Sequence, residues 1–464
     1  MELLLALSAV FVSWVSGYLV VSALVPAGVA GRLAIVSGYG LFIGLLLTTV
    51  VMRLCTVLGI PFSAVLISAL LLASGVAAQL LRRAASDQRL PALEQVILSP
   101  LEKLLIGTCL VLLLPRLGSL WIELTTLPMY AWDAKMHWAK TARVFLEHAA
   151  VVEHVHSGRW LLIREEMVYS SLNPNYPTTI PLVQTWVGVM IGRWHDVYVN
   201  LPWLFCFLSA GLIFYGQARA AGIRASIAVV GAYMLLSLPL LNSHVAMAGY
   251  ADLFLATAFL GALAAFVVFS VSRQYWQGAL LLASLGACLI LKHEGFYWSL
   301  SLIAGAIVLL LGSRRGLLVI AGLAMTGLIL LWLLPAGTIV AGHTIRQMEF
   351  AYRPESWYPL FEGMFLHDNW HLVFYLFVLA LFGSLAWNRR ALRQMAPPLV
   401  CVLSVLILYF VLYLFSGYAR TAVDHTSLNR VAMHFVPAVL FITVVLYAQL
   451  ADGVRRVSGQ APVV

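Results

Sequence analysis

The sequence predicts an all-α integral membrane protein, a polytopic bundle of about 13 transmembrane helices within a range of about 11 to 14. Of its 464 residues, 62% are hydrophobic and only 10% are charged, whereas soluble domains carry about 25% charged residues. Apolar runs of about 18 or more residues recur along the chain, and each can cross a hydrocarbon core of ~30 Å. Runs such as 104–114 do not alternate apolar and polar residues as the strands of a membrane barrel do, so helices are predicted.

Thirteen apolar segments are interpreted as spanning helices. They lie at residues 3–24, 33–52, 59–81, 101–121, 197–217, 225–242, 253–272, 277–292, 299–312, 316–336, 371–387, 397–416 and 433–450. The segment 179–192 is short and opens with prolines, so we place it on the membrane surface or in a re-entrant helix.

Three regions follow in order along the chain: N-terminal helices at 1–100, a central part at 101–340 and C-terminal helices at 341–464. Two long loops lie on one side of the membrane, at 122–196 and 337–370. The first is rich in tryptophan and is predicted to form interfacial helices.

The short loops on the other side carry 15 of the 28 lysines and arginines but only four of the 19 acids. By the positive-inside rule that side is cytoplasmic, which places the C-terminus inside and the N-terminus outside. All twelve histidines map to the outer side or to outer helix ends. The net charge of +9 is explained by these loops, and a nucleic-acid partner is not expected.

The first group of candidate functional residues follows the helix at 101–121. Asp133 and His137 are four residues apart and share one face of a helix, and Lys140 lies nearly on that face. A carboxylate at the membrane boundary acts as a general base where it reaches a substrate hydroxyl. The alternative is a solvated amphipathic helix at the interface.

Two further candidates lie along the central region. The stretch 172–181 contains three prolines, which favour a rigid, extended approach to the next helix. Asp252 opens an otherwise apolar helix after Tyr250, either as a carboxylate facing a polar cavity or as an N-terminal cap.

Ionisable residues also cluster later in the chain. Lys292 and Glu294 stand between two apolar helices, where they pair with each other or bind something else. Arginines follow in the outer loops, including Arg346, Arg353 and those from Arg420 to Arg430, and arginine suits a bidentate grip on phosphate oxygens.

The order of these parts resembles the GT-C superfamily of membrane glycosyltransferases, in particular the protein mannosyltransferase and aminoarabinose transferase-like group. The motifs are Trp132-Asp133-Ala134-Lys135, the proline-rich stretch 175–181, Gly249-Tyr250-Ala251-Asp252 and Lys292-His293-Glu294-Gly295. The resemblance covers about 101–340 and makes that region a GT-C-like catalytic core to which 1–100 is an addition. Many relatives have two adjacent acids where this chain has Asp133 alone.

The resemblance implies an inverting transfer from a polyprenyl-phosphate sugar donor to a glycan, lipid or protein acceptor at the periplasmic face of the bacterial inner membrane. Asp133 is the expected general base. Candidates for binding the acceptor or sugar are Lys135, His137, Tyr250, Asp252 and Glu294, and candidates for binding the donor phosphate are Lys292, Arg346 and Arg430. Some members of the superfamily use a divalent metal, but nothing in this sequence requires a metal or another cofactor.

Two other functions are compatible with the sequence. A transporter or flippase of a lipid-linked substrate needs charged residues near the midplane or on both faces, whereas the charges here cluster outside. A glycan ligase resembling the O-antigen ligases relies on a late outer loop with arginine and histidine, and His343 and Arg346 fit that pattern.

Overall fold

A computed structural model describes residues 1–85, 98–163, 167–340 and 343–457, and no side chain is described for 83–85, 343 or 452–457. The described chain is almost entirely helical. It contains nine helices that are long and apolar enough to cross a membrane, or ten if a bent pair forms one span. This confirms an all-α multi-pass membrane protein, and the count of thirteen spans stays a prediction.

The first four helices are α1 (Glu2–Leu24), α2 (Arg32–Val57), α3 (Ala64–Ala85) and α4 (Pro100–Thr126). Glycines allow α1 and α2 to approach closely, because a Cβ on Gly17 would lie 2.0 Å from the carbonyl oxygen of Gly40. The helix α2 also packs against the centre of the bundle, where the hydroxyl of Tyr39 donates to the carbonyl of Gly261 at 2.6 Å. The N-terminal helices therefore share one core with the central region.

The large outer loop folds into short elements rather than into interfacial helices alone. A π-helix at Ala134–Ala139 continues into α5 (Lys140–His148), followed by β1 (Glu153–His156), α6 (Ser157–Trp160), β2 (Val168–Ser171) and α7 (Thr179–Ile191). The strands β1 and β2 pair in parallel and were not predicted. The helix α7 corresponds to the short segment 179–192, and it is buried against α1, α2 and α5 along most of its length.

The central helices are α8 (Leu201–Ala220), α9 (Ala225–Ser237), α10 (Pro239–Ala246), α11 (Asp252–Ser272), α12 (Tyr275–Leu291), α13 (Glu294–Leu311) and α14 (Ser313–Leu333). The axis bends by 57° between α9 and α10, where Pro239 lacks the N–H that would continue the helix. The helix α11 is the centre of the bundle, since every residue from 252 to 268 is buried.

The C-terminal region begins with β3 (Ile339–Val340), β4 (His343–Thr344), α15 (Ile345–Met348) and α16 (Trp357–Phe361). It continues with α17 (Val373–Trp387), α18 (Arg389–Gln394), α19 (Ala396–Leu414), α20 (Ala419–Val423), α21 (Leu428–Met433) and α22 (Val436–Val457). The helix α19 packs against α13, and α22 packs against α11 and α17.

Contacts between distant loops define the end of the bundle that carries the large loop. Glu2 forms an ion pair with Arg193 at 2.6 Å, and the backbone N–H of Phe62 donates to the carbonyl of Ala149 at 2.7 Å. At the opposite end Arg32 and Arg82 both donate to the carbonyl of Ser22. The N-terminus and the large loop therefore lie at the same end of the bundle.

Candidate functional site

The candidate site is centred on Asp252, the first residue of α11. Its side chain is 1% exposed. One carboxylate oxygen, Oδ1, lies 2.9 Å from Nζ of Lys292 and 2.8 Å from Nε2 of His434, and the other, Oδ2, lies 3.3 Å from Nη2 of Arg430. The side chain does not cap α11. A buried carboxylate at the end of an apolar helix is stable only with such partners, so Asp252 organises a cluster of charged groups.

Lys292 lies between α12 and α13 and joins two carboxylates. Its Nζ is 2.9 Å from Asp252 and 2.9 Å from Glu294, and only 6% of the residue is exposed. Burial works to lower the pKa of Lys292, but the negative charges of Asp252 and Glu294 outweigh it and raise that pKa. The pairing with Glu294 was one of the two expectations from sequence, and it leaves the ammonium charge already balanced.

Arg430 in α21 connects the bundle to the large outer loop. Its Nη1 donates to Oδ2 of Asp133 at 2.7 Å, while Nη2 donates to Asp252. Its guanidinium also lies over the ring of Tyr250, 4.7 Å from the centroid, in a cation–π contact. Burial acts against the charge, but Asp252 and Asp133 together raise the pKa of Arg430. The planar guanidinium thus holds two acids and one aromatic ring in a fixed arrangement.

Asp133 precedes the π-helix of the outer loop and remains partly exposed, with 26% of its side chain accessible. Arg430 binds one carboxylate oxygen, and the other, Oδ1, lies 4.0 Å from Nε2 of His137. Burial lowers the pKa of His137, with Arg430 acting in the same direction and Asp133 opposing it. A neutral His137 therefore lies beside Oδ1, the oxygen of Asp133 that Arg430 does not bind.

His434 is a member of the cluster that was not singled out from sequence. It is 0% exposed and lies between Asp252 and the indole N–H of Trp298, which donates to Nδ1 at 3.2 Å. The signal that could have identified it is the one that identified Asp252, an ionisable residue at the start of an apolar helix.

A small cavity of about 60 Å³ lies beside His137, and Tyr176 and Thr178 are among the other residues that line it. Its size suits a few water molecules rather than a sugar ring. The ring of Tyr176 stacks on His293 with centroids 5.2 Å apart. The proline-rich stretch thus brings an aromatic and a hydroxyl to the edge of the cluster.

The remaining predicted residues lie away from Asp252. Lys135 points to the other side of its helix, where it lines a surface groove of about 430 Å³ with Lys140 and Arg143. Arg346 is exposed and makes no ion pair with any described residue. The late arginines divide, since Arg353 and Arg420 pair with Glu349 rather than joining Arg430. The side chain of His343 lies outside the described residues.

Five of the nine predicted site residues are therefore linked by ion pairs in this cluster: Asp133, Asp252, Lys292, Glu294 and Arg430. Tyr250 and His137 border it. With His434 neutral, three carboxylates and two cations give the cluster a formal charge of −1. Among the described residues, no group of three or more His, Cys, Asp or Glu is placed to hold a metal ion.

No family model, curated protein or solved structure matches this chain.

Proposed function

We propose that this protein is a glycosyltransferase that moves a sugar from a polyprenyl-phosphate donor to an acceptor hydroxyl on a cell-envelope glycan, lipid or protein. The reaction would take place at the outer, periplasmic face of the bacterial inner membrane. The observation that carries the proposal is the state of Asp133. Arg430 anchors its Oδ2 at 2.7 Å, whereas the nearest ion-pair partner of Oδ1, Nε2 of His137, is 4.0 Å away and 26% of the Asp133 side chain is exposed.

A carboxylate held in this way suits a general base. One oxygen is fixed by the guanidinium, so the other can accept the proton of an acceptor hydroxyl without the side chain reorienting. The acceptor oxygen then forms a bond to the anomeric carbon as the bond from that carbon to the phosphate oxygen breaks. The phosphate leaves with the electron pair, and attack from the opposite face inverts the anomeric configuration.

The leaving phosphate needs positive charge nearby, because negative charge develops on its oxygen in the transition state. Lys292 and Arg430 are the cations of the cluster, although both already face carboxylates. Arg346 was a third candidate and lies exposed outside the cluster. In this proposal Lys292 and Arg430 mainly hold Asp252, Glu294 and Asp133 in place.

The decisive experiment compares Asp133→Asn with Lys135→Gln. The two residues are two positions apart in the chain, but only Asp133 faces Arg430. In membranes with matched protein levels, we expect Asp133→Asn to reduce transfer of labelled sugar from a polyprenyl-phosphate donor by about 10²- to 10⁴-fold. Binding of the donor should persist, and Lys135→Gln should stay near wild type. Full activity in Asp133→Asn would remove Asp133 from the chemistry.

A second candidate function is transport of a lipid-linked substrate. It is favoured by the bent pair α9 and α10 and by the charged break between α12 and α13, since transporters place charges at broken helices. Purified protein in liposomes distinguishes the two functions. A transporter would move a fluorescent polyprenyl-phosphate lipid between leaflets without consuming it, whereas the transferase would require an acceptor and release the free lipid phosphate.

A further inference from the structure

Arg53 is a cation inside an apolar helix that the cluster does not use. It lies in α2, about one turn before the end of that helix at Val57, on the side of the bundle that carries the large loop. Its neighbour Leu54 is 55% exposed and Val57 is 81% exposed, so this part of α2 faces the bilayer. An arginine at the edge of the hydrocarbon region is unfavourable unless it finds a counter-charge.

The partners of Arg53 are hydroxyl groups. Its Nη2 donates to Oγ1 of Thr179 at 2.8 Å and of Thr178 at 3.1 Å, and Nη1 donates to Oγ1 of Thr49 at 3.3 Å. No described carboxylate pairs with it. This distinguishes Arg53 from Lys292 and Arg430, whose charges are balanced by acids within the cluster.

Short contacts connect Arg53 to the candidate site. The hydroxyl of Thr179 accepts from Arg53 and donates to the carbonyl of Ile290 at 2.6 Å, two residues before Lys292. Thr178 lines the small cavity that His137 also lines. Arg53 therefore stands at the boundary between the bilayer and the cluster, at the start of α7.

We propose that Arg53 binds the phosphate of the lipid-linked donor from the bilayer side, which rests on the proposed transferase function. A phosphate attached to a membrane lipid supplies the counter-charge that the described residues do not. The guanidinium presents paired N–H groups to phosphate oxygens, and the N-terminus of α7, a helix of 13 residues, adds a favourable dipole. The donor would then enter between α2 and α7 with its sugar directed towards Asp133.

Phospholipid head groups offer the same phosphate chemistry, so the test must separate them from the donor. Wild-type protein, Arg53→Gln and Arg53→Lys are compared in nanodiscs of phosphatidylcholine, with undecaprenyl phosphate as one probe and phosphatidylglycerol as the other. Retention of each lipid is measured by native mass spectrometry. Arg116→Gln is the matched control, because Arg116 also lies inside an apolar helix, α4.

We expect Arg53→Gln to weaken binding of undecaprenyl phosphate about tenfold or more, with partial rescue in Arg53→Lys and no effect of Arg116→Gln. Equal loss of both probes, or equal loss in Arg53→Gln and Arg116→Gln, would assign Arg53 to bulk lipid and overturn the proposal. Unchanged binding in Arg53→Gln would also overturn it.

A purely structural role of Arg53 is tested with Thr178→Ala, which removes one hydroxyl partner and leaves the charge. If Arg53 binds phosphate, Thr178→Ala should retain most of its affinity for undecaprenyl phosphate. If Arg53 only connects α2 to α7, Thr178→Ala and Arg53→Gln should lose stability and lipid affinity to the same extent. The transferase proposal is judged separately. If wild-type protein binds the lipid but transfers no sugar, the transferase function fails, whereas an active wild type with unaffected Arg53→Gln defeats only the role of Arg53.

Discussion

Trp298 donates its indole N–H to Nδ1 of His434 across 3.2 Å. An indole nitrogen donates only, so Nδ1 must be the unprotonated nitrogen and the ring proton must sit on Nε2. That nitrogen lies 2.8 Å from Oδ1 of Asp252 and donates to it. A second proton on the ring would point at the indole N–H. Burial acts in the same sense, since it lowers the pKa of His434.

The lowered pKa of His434 predicts a pH dependence of stability. Between the folded pKa and the ordinary value of about 6.5, the unfolded chain binds a proton more readily than the folded chain, so stability falls as pH falls through this window. Thermal unfolding in nanodiscs at a series of pH values measures the slope of stability against pH. We expect His434→Gln to flatten it, because glutamine can keep both hydrogen bonds without titrating. His371→Gln, a substitution at a partly exposed histidine, is the control, and an unchanged slope in His434→Gln would contradict the assignment.

Lys292 provides a second prediction, on charge balance. Lys292→Met leaves Asp252 and Glu294 without the ammonium that both contact at 2.9 Å, and breaking a buried pair in this way costs about 3–5 kcal/mol. The double variant Lys292→Met with Glu294→Gln restores the formal charge of the cluster, while Arg430 and His434 continue to hold Asp252.

We therefore expect the double variant to recover much of the stability lost in Lys292→Met. The measurement is the free energy of unfolding of each variant, taken under one set of detergent conditions. Glu294→Gln alone is the companion variant. A double variant as unstable as Lys292→Met would mean that packing rather than charge determines the loss.

The sequence identified Asp133, Asp252 and Lys292 because an ionisable residue at the edge of an apolar helix stands out by its cost. It could not identify their partners, since Arg430 and Asp133 are 297 positions apart. Nor could it orient α11, which is apolar on all sides and so has no amphipathic face to predict.

The sequence also did not predict which side of the helix the residues after Asp133 occupy. A regular α-helix would return Lys140 nearly to the face of Asp133 after seven residues. The segment 134–139 is a π-helix, whose wider turn changes that offset. Lys140 instead donates to the carbonyl of Ser170 at 3.0 Å, and Lys135 faces the same outer groove.

Arg430→Lys is the third prediction, since it keeps the charge but removes the planar group. Lysine is a compact point charge that cannot bridge Asp133 and Asp252 while stacking on Tyr250. We expect transfer activity to fall about tenfold or more because Asp133 loses its anchor, while the protein still folds. Initial rates with labelled donor provide the measurement, and Arg420→Lys at an exposed ion pair with Glu349 is the control. Equal rates in both variants would show that charge alone suffices at position 430.

The last prediction concerns which side of the membrane the cluster faces. The five natural cysteines are buried, so a membrane-impermeant maleimide should label introduced thiols over a low background. Lys135 belongs to the large loop and lines the surface groove, so Lys135→Cys reports on that side. Arg390 belongs to α18 at the other end of the bundle, so Arg390→Cys reports on the opposite side. In intact spheroplasts we expect rapid labelling of Lys135→Cys, and labelling of Arg390→Cys only after the membrane is permeabilised, because the loops rich in arginine stay inside. The reverse pattern would place Asp133 in the cytoplasm and exclude a donor that presents its sugar at the outer face.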